Sequence, residues 1–67
     1  MKLFNRVKLL RIKKGFTQQI LADKIGISRQ AVGLIERGEM TPSIVIGLKI
    51  SFVLNEPVAE IFFVDEG

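Results

Sequence analysis

Apolar residues recur along this chain with helical spacing, and polar runs and glycines interrupt them at regular intervals. The clearest stretch is Gln18 to Arg37, QQILADKIGISRQAVGLIER. Leu21, Ala22 and Ile25 share one face of a short amphipathic helix, and Val32 and Ile35 share a face of a second. Between them, Gly26 suits a C-cap because it takes positive φ without a Cβ clash, Ile27 is an apolar plug, and Ser28 is a strong N-cap. Two helices meeting across so short a junction at roughly 90–120° make a helix-turn-helix. Ala22 supplies the small side chain that close approach requires. Arg29 and Gln30 then stand at the start of the second helix, on the side away from Val32 and Ile35, where a recognition helix offers donors to base edges.

Leu3 to Lys14 reads as a helix preceding this pair, with Leu3, Val7, Leu10 and Phe4 as its stripe and Gly15 as its end. Phe16 plugs the junction after it, and Thr17 caps the next helix. After the pair, Gly38-Glu39-Met40-Thr41-Pro42 is a turn, with Thr41 and Ser43 both able to cap the fourth helix. Ser43 to Leu54 is helical and apolar almost all round, so a monomer this small leaves Val45 or Phe52 exposed. Asn55-Glu56-Pro57 breaks it. Val58 to Phe62 is a short fifth helix, and Phe62-Phe63-Val64 forms an apolar end before the acidic tail Asp65-Glu66-Gly67.

Composition narrows the chemistry. With 67 residues the chain is expected to be one domain, residues 1–67, with residues 18–37 as its motif and no room for a ligand-sensing domain. It has neither Cys nor His, which excludes a disulfide, a thiolate or imidazole metal site and imidazole catalysis. No glycine-rich phosphate loop occurs, so no enzyme, metal or cofactor is expected. No apolar run approaches the ~18 residues of a membrane span, and Asn5, Arg6 and Lys8 interrupt any leader-like core, which leaves the cytoplasm as the expected compartment.

The net charge of +3 conceals an asymmetry. Residues 1–37 carry nine cations against Asp23 and Glu36, or +7; residues 38–67 carry Lys49 against five acids, or −4. A basic half joined to an acidic half fits one face for a polyanion and another for something else, although a solvated charged surface gives the same count.

The run R-x-x-x-G-F-T-Q-x-x-L-A-x-x-I-G-I-S-R-Q-x-V-x-x-I-E-x-G, from Arg11 to Gly38 with Pro42 beyond it, resembles the Cro/C1-type (Xre-like) helix-turn-helix regulators. That resemblance implies an all-α, compact five-helix lambda-repressor-like DNA-binding domain. It implies an Arg11–Glu36 ion pair tying the first helix to the third. It also implies a hydrogen bond from Gln18 to a DNA phosphate beside a helix N-terminus. Arg29 and Gln30 are the main candidates for base reading, since Arg can pair with guanine O6 and N7 and Gln with adenine N6 and N7. One turn on, Gly33 and Leu34 are expected on the same exposed side, Leu34 against a thymine methyl. Gly33 departs from the family, which commonly has a polar residue there, and so does Arg37, where many relatives carry Asn. Ser28, Arg37 and Thr41 are further phosphate candidates. Lys13 and Lys14 are too, although the helix dipole alone accounts for cations in a last turn.

Operators of such regulators are usually near-palindromes read by twofold dimers, which places Phe52, Ile61, Phe62 and Phe63 at an expected homodimer interface. The expected function is a sequence-specific regulator, a repressor, that binds a double-stranded DNA operator through the major groove. The alternative is an antitoxin-like module whose apolar C-terminal half binds a partner protein.

Overall fold

The computed structural model describes residues 1–65; the last two residues of the expected acidic tail lie outside the described residues. The helical pair forms as its caps dictate. Thr17, with extended backbone, accepts a hydrogen bond on its Oγ from Ile20 N (3.1 Å) and opens α2, Gln18–Ile25. Gly26 closes α2 at φ 78°. Two residues later Ser28 repeats the N-cap, its Oγ accepting from Ala31 N at 3.0 Å, and opens α3, Arg29–Glu36. Ile27 packs against the core between them. Of the two candidates for the next cap, Ser43 takes the role: its Oγ accepts from Ile46 N (3.1 Å) at the head of α4, Ile44–Leu54, while Thr41 stays exposed.

The ends of the chain depart from expectation. The first helix, α1, begins at Val7 and runs to Lys13. The residues before it form a strand, β1 (Lys2–Asn5), paired antiparallel with β2 (Phe62–Asp65), with Leu3 opposite Val64 and Phe4 opposite Phe63. Between α4 and β2, α5 is the single turn Val58–Ile61, one residue shorter than expected. Asn5, the last residue of β1, marks the boundary with the helix. Its Oδ1 accepts from Val7 N (3.0 Å), and its Nδ2 donates to Ile35 O (2.9 Å), so the side chain both starts α1 and fastens it to the end of α3. Arg6 N donates to Ile61 O at 2.8 Å, and the chain leaves the core as a strand. The ribbon is closed by stacked Phe4 and Phe63 rings, 5.9 Å apart, with the Arg6 guanidinium 4.9 Å from the Phe63 ring centre. The five expected helices are present, and the ribbon joins the two ends of a lambda-repressor-like helical domain.

One core serves all five helices. Val7 comes from α1, Leu21, Ala22 and Ile25 from α2, Val32 and Ile35 from α3, Ile50 and Leu54 from α4, and Ile61 from α5. This corrects the expectation for Ile61: at 0% exposure it is a core residue of the single chain and cannot contact a second subunit. Phe62 is half-buried against the same core. The α4 helix buries only Gly47, Ile50 and Leu54; both Val45 and Phe52 are exposed, and Ile44 and Leu48 join them.

Ile61 is fully buried in the core cluster, and a core closes only partly around a truncated side chain. Ile61→Ala is therefore expected to cost about 2–5 kcal/mol in urea unfolding. A loss within ~0.5 kcal/mol, usual for surface positions, would show that the side chain is not in the core.

Candidate nucleic-acid interface

Arg11 on α1 points into the molecule and is only 7% exposed. Its Nε donates to Glu36 Oε2 at 2.6 Å and its Nη2 to Glu36 Oε1 at 3.3 Å, while Nη1 donates to Phe16 O at 2.9 Å. Gln18 Nε2 completes the group by donating to Glu36 Oε1 at 3.0 Å. A buried guanidinium and carboxylate carry a desolvation cost of several kcal/mol each, so the pair persists only because these further bonds satisfy it. The result is positional: α1, the Gly15–Thr17 junction, the first turn of α2 and the end of α3 are held together at one point. Among the described residues, no buried side-chain nitrogen or oxygen lacks a partner.

That anchor leaves the N-terminal edge of α3 facing outward. Arg29 and Gln30, the first two residues of α3, are exposed, and so is their cap Ser28. The Ser28 hydroxyl accepts from the helix and keeps its proton for an outside acceptor. A groove of about 370 Å³ runs along the helix, lined by Gln18, Arg29, Gln30, Gly33, Leu34 and Arg37. Beside it, a second hollow at the head of α2 is lined by polar residues (Thr17, Gln18, Gln19), by Ile12 and Phe16, and by Lys8 and Arg29 as its exposed cations, while the Arg11 guanidinium at its floor is already bonded to Glu36 and Phe16. Gln18 borders both, and one of its two amide hydrogens is committed to Glu36.

The remaining expected contact residues are placed unevenly. Lys13, the last residue of α1, and Lys14, its C-cap, are exposed, as is Thr41 in the loop before α4. Leu34 is half-buried on the groove wall. Gly33 does not lie open as expected; it is buried, covered by the side chains of Arg37 and Gln18. The Arg37 Nε donates to Glu39 Oε2 at 2.5 Å, an ion pair between exposed side chains. Glu39 was not singled out by the sequence, and neither was Asn5. Their partners lie in adjoining turns or across the fold, and residue type gives no signal for either. No group of acids that could hold a metal occurs among the described residues, and none of their helices is long and apolar enough to cross a membrane.

A helix-turn-helix family model matches residues 7–61, from the start of α1 to the end of α5. The chain belongs to the Cro/C1-type helix-turn-helix family. This is a family of DNA-binding transcription regulators. An uncharacterised helix-turn-helix-type transcriptional regulator of Bacillus subtilis, YgzD, is 36% identical over 62 residues, covering 92% of this chain and 94% of the relative. Another from Archaeoglobus fulgidus is 34% identical over 61 residues, covering 91% of this chain and 87% of its own length. Among solved structures, the restriction-modification controller protein C.AhdI of Aeromonas hydrophila superposes with a TM-score of 0.77 at 38% identity, covering 82% of this chain and 83% of that one. A putative DNA-binding protein from Bacteroides fragilis has the same fold, with a TM-score of 0.83 at 23% identity over 91% of this chain and 98% of that one.

Because the Arg11–Glu36 pair is desolvated, removing one member strands the other. Arg11→Ala is expected to lower unfolding stability by about 3–5 kcal/mol, and the double replacement Arg11→Met with Glu36→Leu to lose markedly less than that. A single-variant loss under ~1 kcal/mol, the range of exposed ion pairs, would contradict the buried geometry.

Proposed function

We propose that this helix-turn-helix protein is a sequence-specific transcriptional repressor that binds a near-palindromic double-stranded DNA operator as a homodimer. The observation that carries the reading is the outward, unburied placement of Arg29 and Gln30 at the head of α3, beside the polar first turn of α2 and the exposed Lys8 of α1. In this reading α3 enters the major groove, where Arg29 takes a guanine and Gln30 an adenine. Leu34, on the wall of the same groove in the protein, meets a thymine methyl. Gln18 gives its second amide hydrogen to a phosphate at the head of α2, and Ser28 gives its hydroxyl proton to another. Lys13, Lys14 and Thr41 add contacts along the DNA backbone that position the domain without reading sequence. Similarity to a restriction-modification controller protein over most of both chains supports a regulatory role.

Of the four residues expected at the dimer interface, Phe52 stays in the dimer reading, and residues of α4 join it in place of those at the end of the chain. Ile61 is buried, Phe62 is half-buried, and Phe63 is stacked on Phe4. Phe52 is 87% exposed and Ile44 is 83% exposed, and with Leu48 they fall at helical spacing on one face of α4. In this reading a second copy covers the stripe, and the two α3 helices of the dimer read half-sites about 34–36 Å apart.

Duplexes selected from a random pool provide the operator for testing. Arg29→Ala and Gln30→Ala are each expected to weaken the selected duplex by about 1–3 kcal/mol while leaving random duplex binding nearly unchanged. Lys13→Ala and Lys14→Ala are expected to weaken all duplexes alike and flatten the salt dependence by about one unit per lost contact. If Arg29→Ala binds the selected duplex as tightly as wild type, base reading by α3 is wrong. Phe52→Glu is expected to shift sedimentation equilibrium towards monomer with the helical circular dichroism retained; an unchanged mass would remove the α4 face from the dimer.

A further inference from the structure

Residue 33 comes four positions after Arg29 and three after Gln30, so it is the next position on the face that meets the bases. As glycine it offers no side chain, yet the space is filled. A Cβ built on Gly33 would lie 3.3 Å from Arg37 Nη1 and 3.6 Å from Gln18 Nε2. The guanidinium of Arg37 thus rests on the backbone of α3, in the groove between Gln18 and Leu34. Helix geometry explains how it gets there. A side chain leaving the end of a helix leans back towards the preceding turn, and residue 37 stands four positions after residue 33. Glycine at 33 is what lets it settle so close.

Glu39 determines which donors remain. Its Oε2 accepts from Arg37 Nε, holding the side chain at its root, and no other hydrogen bond to Arg37's side chain occurs among the described residues. The two terminal nitrogens therefore present a fork in the groove, the arrangement that pairs with O6 and N7 of a guanine. The charge of the partner argues in the same direction. A carboxylate beside Arg37 opposes the approach of a phosphate, with its full negative charge, more strongly than that of a guanine edge, whose O6 and N7 carry only partial charges.

Building on the reading of α3 as the recognition helix, we infer that Arg37 is a specificity-determining residue: folded over Gly33 and steered by Glu39, it reads a guanine in place of the missing side chain at position 33. Arg37 was expected from the sequence to be a phosphate ligand. Base reading and phosphate contact leave different signatures, which makes the assignment testable.

The test is selection from a random duplex pool by wild type, Arg37→Ala and Gly33→Ala, with the salt dependence of each selected duplex measured and a thermal melt run on each variant. Wild type is expected to enrich guanine at one position of each half-site by about 5- to 150-fold over the other bases. Arg37→Ala is expected to abolish that preference and keep the rest of the consensus. Gly33→Ala keeps the charge and asks the Arg37 guanidinium to shift by only a few tenths of an ångström, so it is expected to weaken the same preference far less than Arg37→Ala does, with the salt slope unchanged. The inference is overturned if Arg37→Ala keeps the whole consensus and binds every duplex more weakly by one factor, with a salt slope shallower by about one, as a phosphate ligand would. Failure of wild type to enrich any sequence would bring down the regulator reading itself, a result separate from the loss of this one residue's role.

Discussion

A single buried ion pair determines where the surface of this protein faces. Arg11 and Glu36 sit in a core that is otherwise almost wholly aliphatic, and each is bonded to more than the other: Arg11 to the Phe16 carbonyl, Glu36 to the Gln18 amide. Aliphatic contacts alone tolerate small rotations of one helix over another, because packing of Leu, Ile and Val is weakly directional. A forked guanidinium on a carboxylate does not tolerate them, since its bonds have both length and direction. The pair therefore contributes register more than net stability. It places the end of α3 against α1 and the head of α2, and in doing so turns the start of α3 outward.

The same device couples the two kinds of contact that the proposed function requires. Gln18 stands at the head of α2, where a phosphate is expected, and its amide is tied to Glu36 on α3, the helix expected to read bases. The backbone clamp and the reading head are thereby fixed relative to one another through a bond inside the protein. Asn5 acts similarly without a charge, joining the start of α1 to the Ile35 carbonyl at the end of α3. The terminal ribbon closes the far side of the domain over Ile61 and leaves the exposed α4 stripe as its main apolar surface.

Most of the helical frame was legible in the residues because its signals are local. Thr17, Ser28 and Gly26 cap within one turn, and Leu21, Ala22, Ile25, Val32 and Ile35 declare their faces by spacing alone. Membership of a helix-turn-helix family was legible for the same reason. What escaped depends on partners distant in sequence. Leu3 and Phe4 fit a helical stripe as well as they fit a strand. Only pairing with residues 62–65, far along the chain, decides between the two. Ile61 reads as part of an exposed apolar end until the bond from Arg6 to its carbonyl places it beneath the ribbon. At the site, Arg29 and Gln30 could be chosen from position in the motif. The cover that Arg37 lays over Gly33 could not, because residue type says nothing about where a long flexible side chain comes to rest.

In the proposed function the internal anchor presents one edge, the head of α3 beside the head of α2, to DNA. Amide chemical-shift mapping on nitrogen-15-labelled protein, titrated with a selected operator duplex, tests this most directly. Perturbations are expected to concentrate at Gln18, Ser28, Arg29, Gln30, Leu34 and Arg37, with Leu3, Phe4 and Val64 of the ribbon nearly unmoved. Perturbations centred on the ribbon, with the first turn of α3 unaffected, would contradict it.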